Sequence, residues 1–157
     1  MNTTTAPSSP KLVYVTPIRT TAAKLWEALT EPDFIQQYFF GRRNTSTWKV
    51  GDAIESRSPE GELEWQGKIL KCVPEKEVVF TFDHMTDEPP STVSFKIEAL
   101  EDGMQQLTVI HEDFPMVSAI RDRVSNGWPG IVRGIKELLE TGAVQEEPTP
   151  CDTGCSA

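Results

Sequence analysis

The chain carries two histidines, His84 and His111. Each continues the apolar phase of a strand pattern, Phe80-Phe82-His84 and Leu107-Val109-His111. Side chains alternate between the faces of a strand, so both imidazoles are expected on the same side as those apolar residues. Two inward imidazoles can orient a polar group of a ligand, or act as acid and base near neutral pH. With Glu112 or Asp113 they would form half a metal site, but those residues follow His111 directly and Glu112 should face the other way. The plainer alternative is a strand-end histidine hydrogen-bonded to backbone.

Nucleophilic chemistry finds little footing. There is no G-x-S-x-G elbow, no Walker-type loop and no G-x-G-x-x-G. Cys72 sits in a strand pattern and reads as a small buried hydrophobe. Cys151 and Cys155 form a C-x-x-x-C in the tail with no histidine nearby, so a loose tail is the simpler reading than a disulfide or metal site. Arg42-Arg43 is a basic doublet that either grips an anionic ligand or is a plain loop pair. No cofactor and no metal are expected.

These residues need elements to hold them. Lys11 to Thr16 reads as a first strand that Pro17 ends. Thr21 caps a short helix through Leu29, Pro32 breaks it, and Asp33 to Tyr38 forms a second that Gly41 closes. A meander follows: Thr45 to Trp48, Ala53 to Arg57, Glu62 to Val73, Glu77 to Asp83, Thr92 to Leu100 and Gln105 to Glu112, separated by turn residues. Val78, Phe80 and Phe82 share a phase, as do Val93, Phe95 and Ile97, and Leu107 and Val109. One face of an antiparallel sheet is therefore apolar and the other polar.

Residues Gly127 to Gly142 form an amphipathic helix whose stripe is Trp128, Ile131, Val132, Ile135, Leu138 and Leu139. That stripe must lie on the apolar face of the sheet. Inside a helix Gly127 costs roughly 1 kcal/mol against Ala and Pro129 about 3. A helix unbroken through both is not expected; Asn126 as N-cap would place Pro129 in the first turn, where its missing N–H does no harm. Met116 to Ser125 is then a preceding turn or kinked segment.

At 157 residues one domain is expected, spanning about 11–142, with loose polar tails at 1–10 and 143–157. The net charge of −9 disfavours binding of nucleic acid or an anionic membrane surface. The first ten residues lack the basic start and apolar core of a secretion signal, and no apolar run approaches the roughly 20 residues that span a bilayer. A soluble cytoplasmic protein is expected.

In this order of elements the chain resembles the α+β helix-grip fold of the START and birch-pollen-allergen (SRPBCC) superfamily. Within it, the chain resembles the branch named for homologues of the activator of heat-shock protein 90 ATPase. The residues that carry the likeness are Pro17-Ile18 with Ala22 to Ala28, Gln37-Tyr38-Phe39-Phe40-Gly41, Trp48-Lys49-Val50-Gly51-Asp52, His111-Glu112-Asp113-Phe114, and Gly127-Trp128 with Leu138-Leu139-Glu140.

The resemblance implies a curved sheet of about six or seven strands wrapped around the long C-terminal helix, with a cavity between sheet, long helix and the two short helices. Trp26, Phe34, Tyr38, Phe39, Trp65, Phe80, Phe82, Phe95 and Trp128 suit such a lining, with His84, His111, Ile131 and Ile135 beside them; the alternative is that they fill a solid core. Non-catalytic binding of a small apolar or amphipathic molecule is the leading expectation. A co-chaperone-like interaction with a protein partner, with a role in stress response, follows from the family's name. A cyclase or hydratase using His84, His111 or Tyr38 follows from the superfamily.

Overall fold

The computed structural model describes residues 10–141. In chain order these form β1 (Leu12–Arg19), α1 (Ala22–Thr30), α2 (Pro32–Tyr38), β2 (Arg43–Ser46), β3 (Ala53–Arg57), β4 (Leu63–Val73), β5 (Glu77–Phe82), β6 (Ser91–Ala99), β7 (Met104–Glu112) and α3 (Ala119–Thr141). The seven strands make one antiparallel sheet in the order β1-β7-β6-β5-β4-β3-β2. This is the helix-grip α+β architecture, with α3 packed against β1, α1 and α2. The expected tails and Cys151 and Cys155 lie outside the described residues, except Pro10.

Alternation dictates the core. Val78, Phe80 and Phe82 of β5 are buried, while Val79 and Thr81 between them are only half-buried. Phe95, Val93 and Ile97 of β6, with Leu107 and Val109 of β7, continue the same apolar face, and Trp65 and Ile69 of β4 complete it. β4 is the hinge of the curvature. Its first half pairs with β3 and its second with β5, and the register shifts between Ile69 and Lys71. Gly67 permits this bend: a Cβ there would stand 1.8 Å from the Thr81 carbonyl oxygen. Cys72 is half-buried at the edge of the core, and burial raises its thiol pKa.

Two strands end or start two residues or more from the sequence expectation. β1 does not stop at Pro17 but runs on to Arg19. It is an edge strand, and the Pro17 carbonyl accepts a hydrogen bond from Lys136 Nζ on the free side, at 2.6 Å. In an antiparallel strand a residue's N–H and C=O point the same way, so the missing N–H of Pro17 also faces the free edge, where no ladder bond is lost. The backbone N–H of Arg19 donates to Glu140 at 2.9 Å on that same edge, and Lys136 pairs with Glu140 at 2.9 Å. The edge is thus covered by the end of α3. The second strand also falls earlier than expected, at Arg43–Ser46, because Trp48 takes a positive φ of 62° and belongs to the turn.

The larger correction concerns α3, which passes unbroken through Gly127 and Pro129 for 23 residues. Pro129 is exposed and forfeits its bond to the Ser125 carbonyl, but the helix is anchored on both sides of it. Ile120 is buried before it, and Ile131, Ile135 and Leu138 after it. Each buried side chain contributes roughly 1.5–3 kcal/mol, enough together to offset the local cost.

The cap is not Asn126 but Ser118, whose Oγ accepts from Arg121 N–H at 2.9 Å. Glu88, from the loop between β5 and β6, closes the same end. Its carboxylate accepts from the Ser118 hydroxyl at 2.6 Å and from the Ala119 and Ile120 N–H groups at 2.7 and 3.2 Å. Burial resists ionisation of Glu88, but these bonds outweigh it and hold its pKa below the usual value.

Candidate ligand-binding cleft

Where the middle of α3 crosses the ends of β4 and β5, side chains do not fill the gap. An open cleft of about 610 Å³ remains. Phe39, Phe40 and Arg42, from the segment after α2, form one wall. Leu63 and Glu64 of β4, with Phe82, His84 and Met85 at the end of β5, form the floor. Arg123, Val124, Asn126, Gly127, Trp128 and Ile131 of α3 form the other wall. Val124, Trp128 and Ile131 are spaced by four and three, so one helix face supplies the apolar part of that wall.

Trp128 is fixed from behind. Its indole Nε1–H donates to His111 Nδ1 at 3.0 Å, and His111 Nε2 lies 2.7 Å from Ser91 Oγ. An Nδ1 that accepts has no proton, so the proton of the neutral ring sits on Nε2 and is donated to Ser91. The Ser91 hydroxyl reaches the Phe82 carbonyl at 3.4 Å. Helix, β7, β6 and β5 are thereby tied through one imidazole. Burial, with a smaller contribution from His84, depresses the His111 pKa to about 3. Phe39 and Phe95 pack against Trp128 in T-shaped geometry at centroid distances of 6.3 and 6.0 Å.

The two inward histidines therefore differ. His111 is fully buried and has partners on both nitrogens. His84 is half-exposed, packs edge-on against Phe82 at 4.7 Å and lines the cleft. Its pKa is lowered by burial and then by the charges of Arg123 and Arg42, against the opposing pull of Asp83 and Glu64. Arg42 pairs with Glu64 at 3.5 Å and sits over the Phe40 ring, 5.8 Å from its centroid.

Of the candidate residues, Phe39, Phe82, His84, Trp128 and Ile131 line the cleft. Trp65, Phe80 and Phe95 are buried as a row of packed rings, with Trp65 parallel to Phe80 at 5.7 Å and 8°, and Phe95 tilted 57° to Phe80 at 5.8 Å. Ile135 is in the core, and Trp26 and Phe34 are packed partly buried at its edge. The Tyr38 hydroxyl is buried and donates to the Ala28 carbonyl at 2.8 Å, and burial pushes its pKa far above the usual range. Among the described residues no group of three or more His, Cys, Asp or Glu side chains could hold a metal ion, and no helix is long and apolar enough to cross a membrane.

Sequence reasoning missed Phe40, Leu63, Glu64, Met85, Arg123, Val124, Asn126 and Gly127 as lining residues. The one signal for Phe40 was its place in a run of three aromatics, Tyr38-Phe39-Phe40, too many for one buried face of a short helix. Phe40 and Met85 both take left-handed backbone, with φ of 59° and 61°, and both are exposed. A bulky residue in that region is strained.

Comparison with solved structures gives the same architecture at low identity. Protein MLL2253 from Mesorhizobium loti matches with a TM-score of 0.72 and 23% identity, over 83% of this chain and 96% of that one. The Hsp90 activator PFC0360w from Plasmodium falciparum matches with a TM-score of 0.69 and 16% identity, over 82% and 95%. CalU16 from Micromonospora echinospora matches with a TM-score of 0.64 and 17% identity, over 78% and 71%. At these identities the likeness is one of fold. No curated protein matches in sequence. The sequence model for the Activator of Hsp90 ATPase homolog 1-like proteins spans residues 19–140, and the chain belongs to that family.

Proposed function

We propose that the cleft beside Trp128 binds a small apolar or amphipathic molecule in the cytoplasm, without chemistry on it. The observation that carries this reading is the cleft itself. Its volume of about 610 Å³ is bordered by Phe39, Phe40, Leu63, Phe82, Val124, Trp128 and Ile131, and falls in the range of roughly 300–1,000 Å³ that holds small ligands. The polar lining is confined to Arg42, Glu64, His84, Arg123 and Asn126, which suits orientation rather than catalysis. His84 is the one inward imidazole open to the cleft, and no second acid or base faces it except Glu64, which is paired with Arg42.

Titration with an ANS-type dye and a panel of long-chain alcohols, sterols and polyketides, read by tryptophan fluorescence, tests this. Saturable binding is expected, and the Val124→Trp variant, which fills the cleft from a half-buried position, should lose it while keeping its Tm. Absence of saturable binding across the panel would reject the reading.

A second reading, a protein-interaction role with a chaperone in the response to stress, draws on the family and on the fold shared with the Hsp90 activator PFC0360w. A pull-down that enriches a chaperone, with a change in that chaperone's ATPase rate, would support it; neither would appear under the first reading.

A further inference from the structure

The geometry points to an anionic head group on the molecule that occupies the cleft, received at the mouth by Arg42 and Arg123 from opposite walls. This rests on the cleft being a ligand site and names the class of ligand: a single-chain amphiphile with a carboxylate or similar anion at one end.

The charge at the mouth runs against the charge of the protein. The chain as a whole carries −9, yet the cleft is bordered by two guanidiniums and one carboxylate. Glu64 meets only Arg42, and only through one oxygen at 3.5 Å. Arg123 makes no close ion pair with a described residue; the Glu88 carboxylate acts on it at longer range but is already bonded to Ser118, Ala119 and Ile120. Both guanidiniums line the same cleft as His84.

The Arg42 side chain is about a quarter exposed (28%) and lies over the Phe40 ring, so its donors are held rather than loose. Deeper in the cleft the lining changes to Phe82, Val124, Trp128 and Ile131, all apolar. A head group that takes charge-assisted hydrogen bonds at the mouth and a chain that lies along Trp128 satisfy both halves. A cationic or neutral head leaves the two guanidiniums lining the cleft in excess over its one carboxylate, Glu64.

Equilibrium titrations with dodecanoate, dodecanol and dodecyltrimethylammonium, each below its micelle concentration, test this on the full chain. Dodecanoate is expected to bind about tenfold more tightly than dodecanol, with the advantage shrinking as salt is raised, and dodecyltrimethylammonium most weakly. In R42Q/R123Q the advantage should vanish while dodecanol affinity stays within about twofold. R123E should invert the order between the two charged amphiphiles.

Equal affinity for dodecanoate and dodecanol, or an advantage that survives R42Q/R123Q, would overturn the inference and leave the cleft reading standing. Failure of all three to bind would overturn both. Sedimentation with phosphatidylglycerol vesicles that is lost in R42Q/R123Q would assign the arginines to a membrane surface instead, and would also overturn it.

Discussion

Towards its C-terminus α3 lays Ile135 and Leu138 into a filled core, and Lys136 and Glu140 fasten it to the open edge of β1. Around its middle the same helix, with apolar residues at the same spacing, borders open space. The difference lies in what each half faces. The C-terminal half meets a strand and a helix whose side chains point inward. The middle meets two chain segments, at Phe40 and Met85, that take left-handed backbone and leave their large side chains 61% and 46% exposed along the cleft. An amphipathic stripe thus specifies where a helix lies, and the partner backbone decides whether the interface closes. A buried polar tie, Trp128 to His111 to Ser91, sits at the border between the two regions.

Cutting that tie should have the largest effect. Trp128→Ala removes a ring that is 2% exposed and leaves His111 Nδ1 without its donor. A loss of about 3–5 kcal/mol is expected from urea denaturation. A loss under about 1 kcal/mol would mean that the border is not held by this residue.

Acid should act at the same point. The folded His111 pKa of about 3 lies below the unfolded value of 6.5. Between those values the unfolded chain binds a proton that the folded chain refuses. Stability is therefore full above pH 6.5 and falls as the pH drops towards 3, with a slope of up to about 1.4 kcal/mol per pH unit from this residue. The His111→Gln variant, less stable at neutral pH, should show a flatter acid limb in the same denaturation series.

A smaller effect is expected at the far end of α3. Glu88→Ala removes three hydrogen bonds from the helix N-terminus and should cost about 1 kcal/mol. Amide exchange should quicken at Ala119 and Ile120, with Ile135 and Leu138 unchanged.

The smallest is expected away from the cleft. The Ser56 hydroxyl is fully buried and has no partner among the described residues, as do Asn44 Oδ1 and Trp65 Nε1 on the neighbouring strands in register with it. Ser56→Ala should leave Tm unchanged or raise it by a few degrees, whereas a clear fall would show that the hydroxyl is engaged.

The fold was legible in the sequence because burial follows period. Alternation at Val78-Phe80-Phe82 and the stripe from Trp128 to Leu139 each name one face, and one face of each must meet the other. The boundaries at Pro17 and Pro129 were not legible, since the cost of a proline depends on whether its N–H would have faced a partner or open space. Nor was the cap of α3, because Glu88 reaches Ser118 across 30 residues of sequence.

The cleft was half legible. Residues on strands and helix, such as Phe82, His84 and Trp128, follow from parity. Phe40, Met85 and Arg123 depend on backbone turns and helix phase that no periodicity encodes. His84 and His111 share a parity and still end in different surroundings, because depth along a strand is set by what covers its end.

The difference between the two halves of α3 is tested most directly by heteronuclear NMR during titration with dodecanoate. Amide shifts should cluster at Phe40, His84, Val124, Gly127 and Trp128, together with the Trp128 indole, and leave Ile135, Leu138 and the β1 edge unmoved. Shifts centred on β1 and the C-terminal half of α3, or none at saturating dodecanoate, would contradict the account.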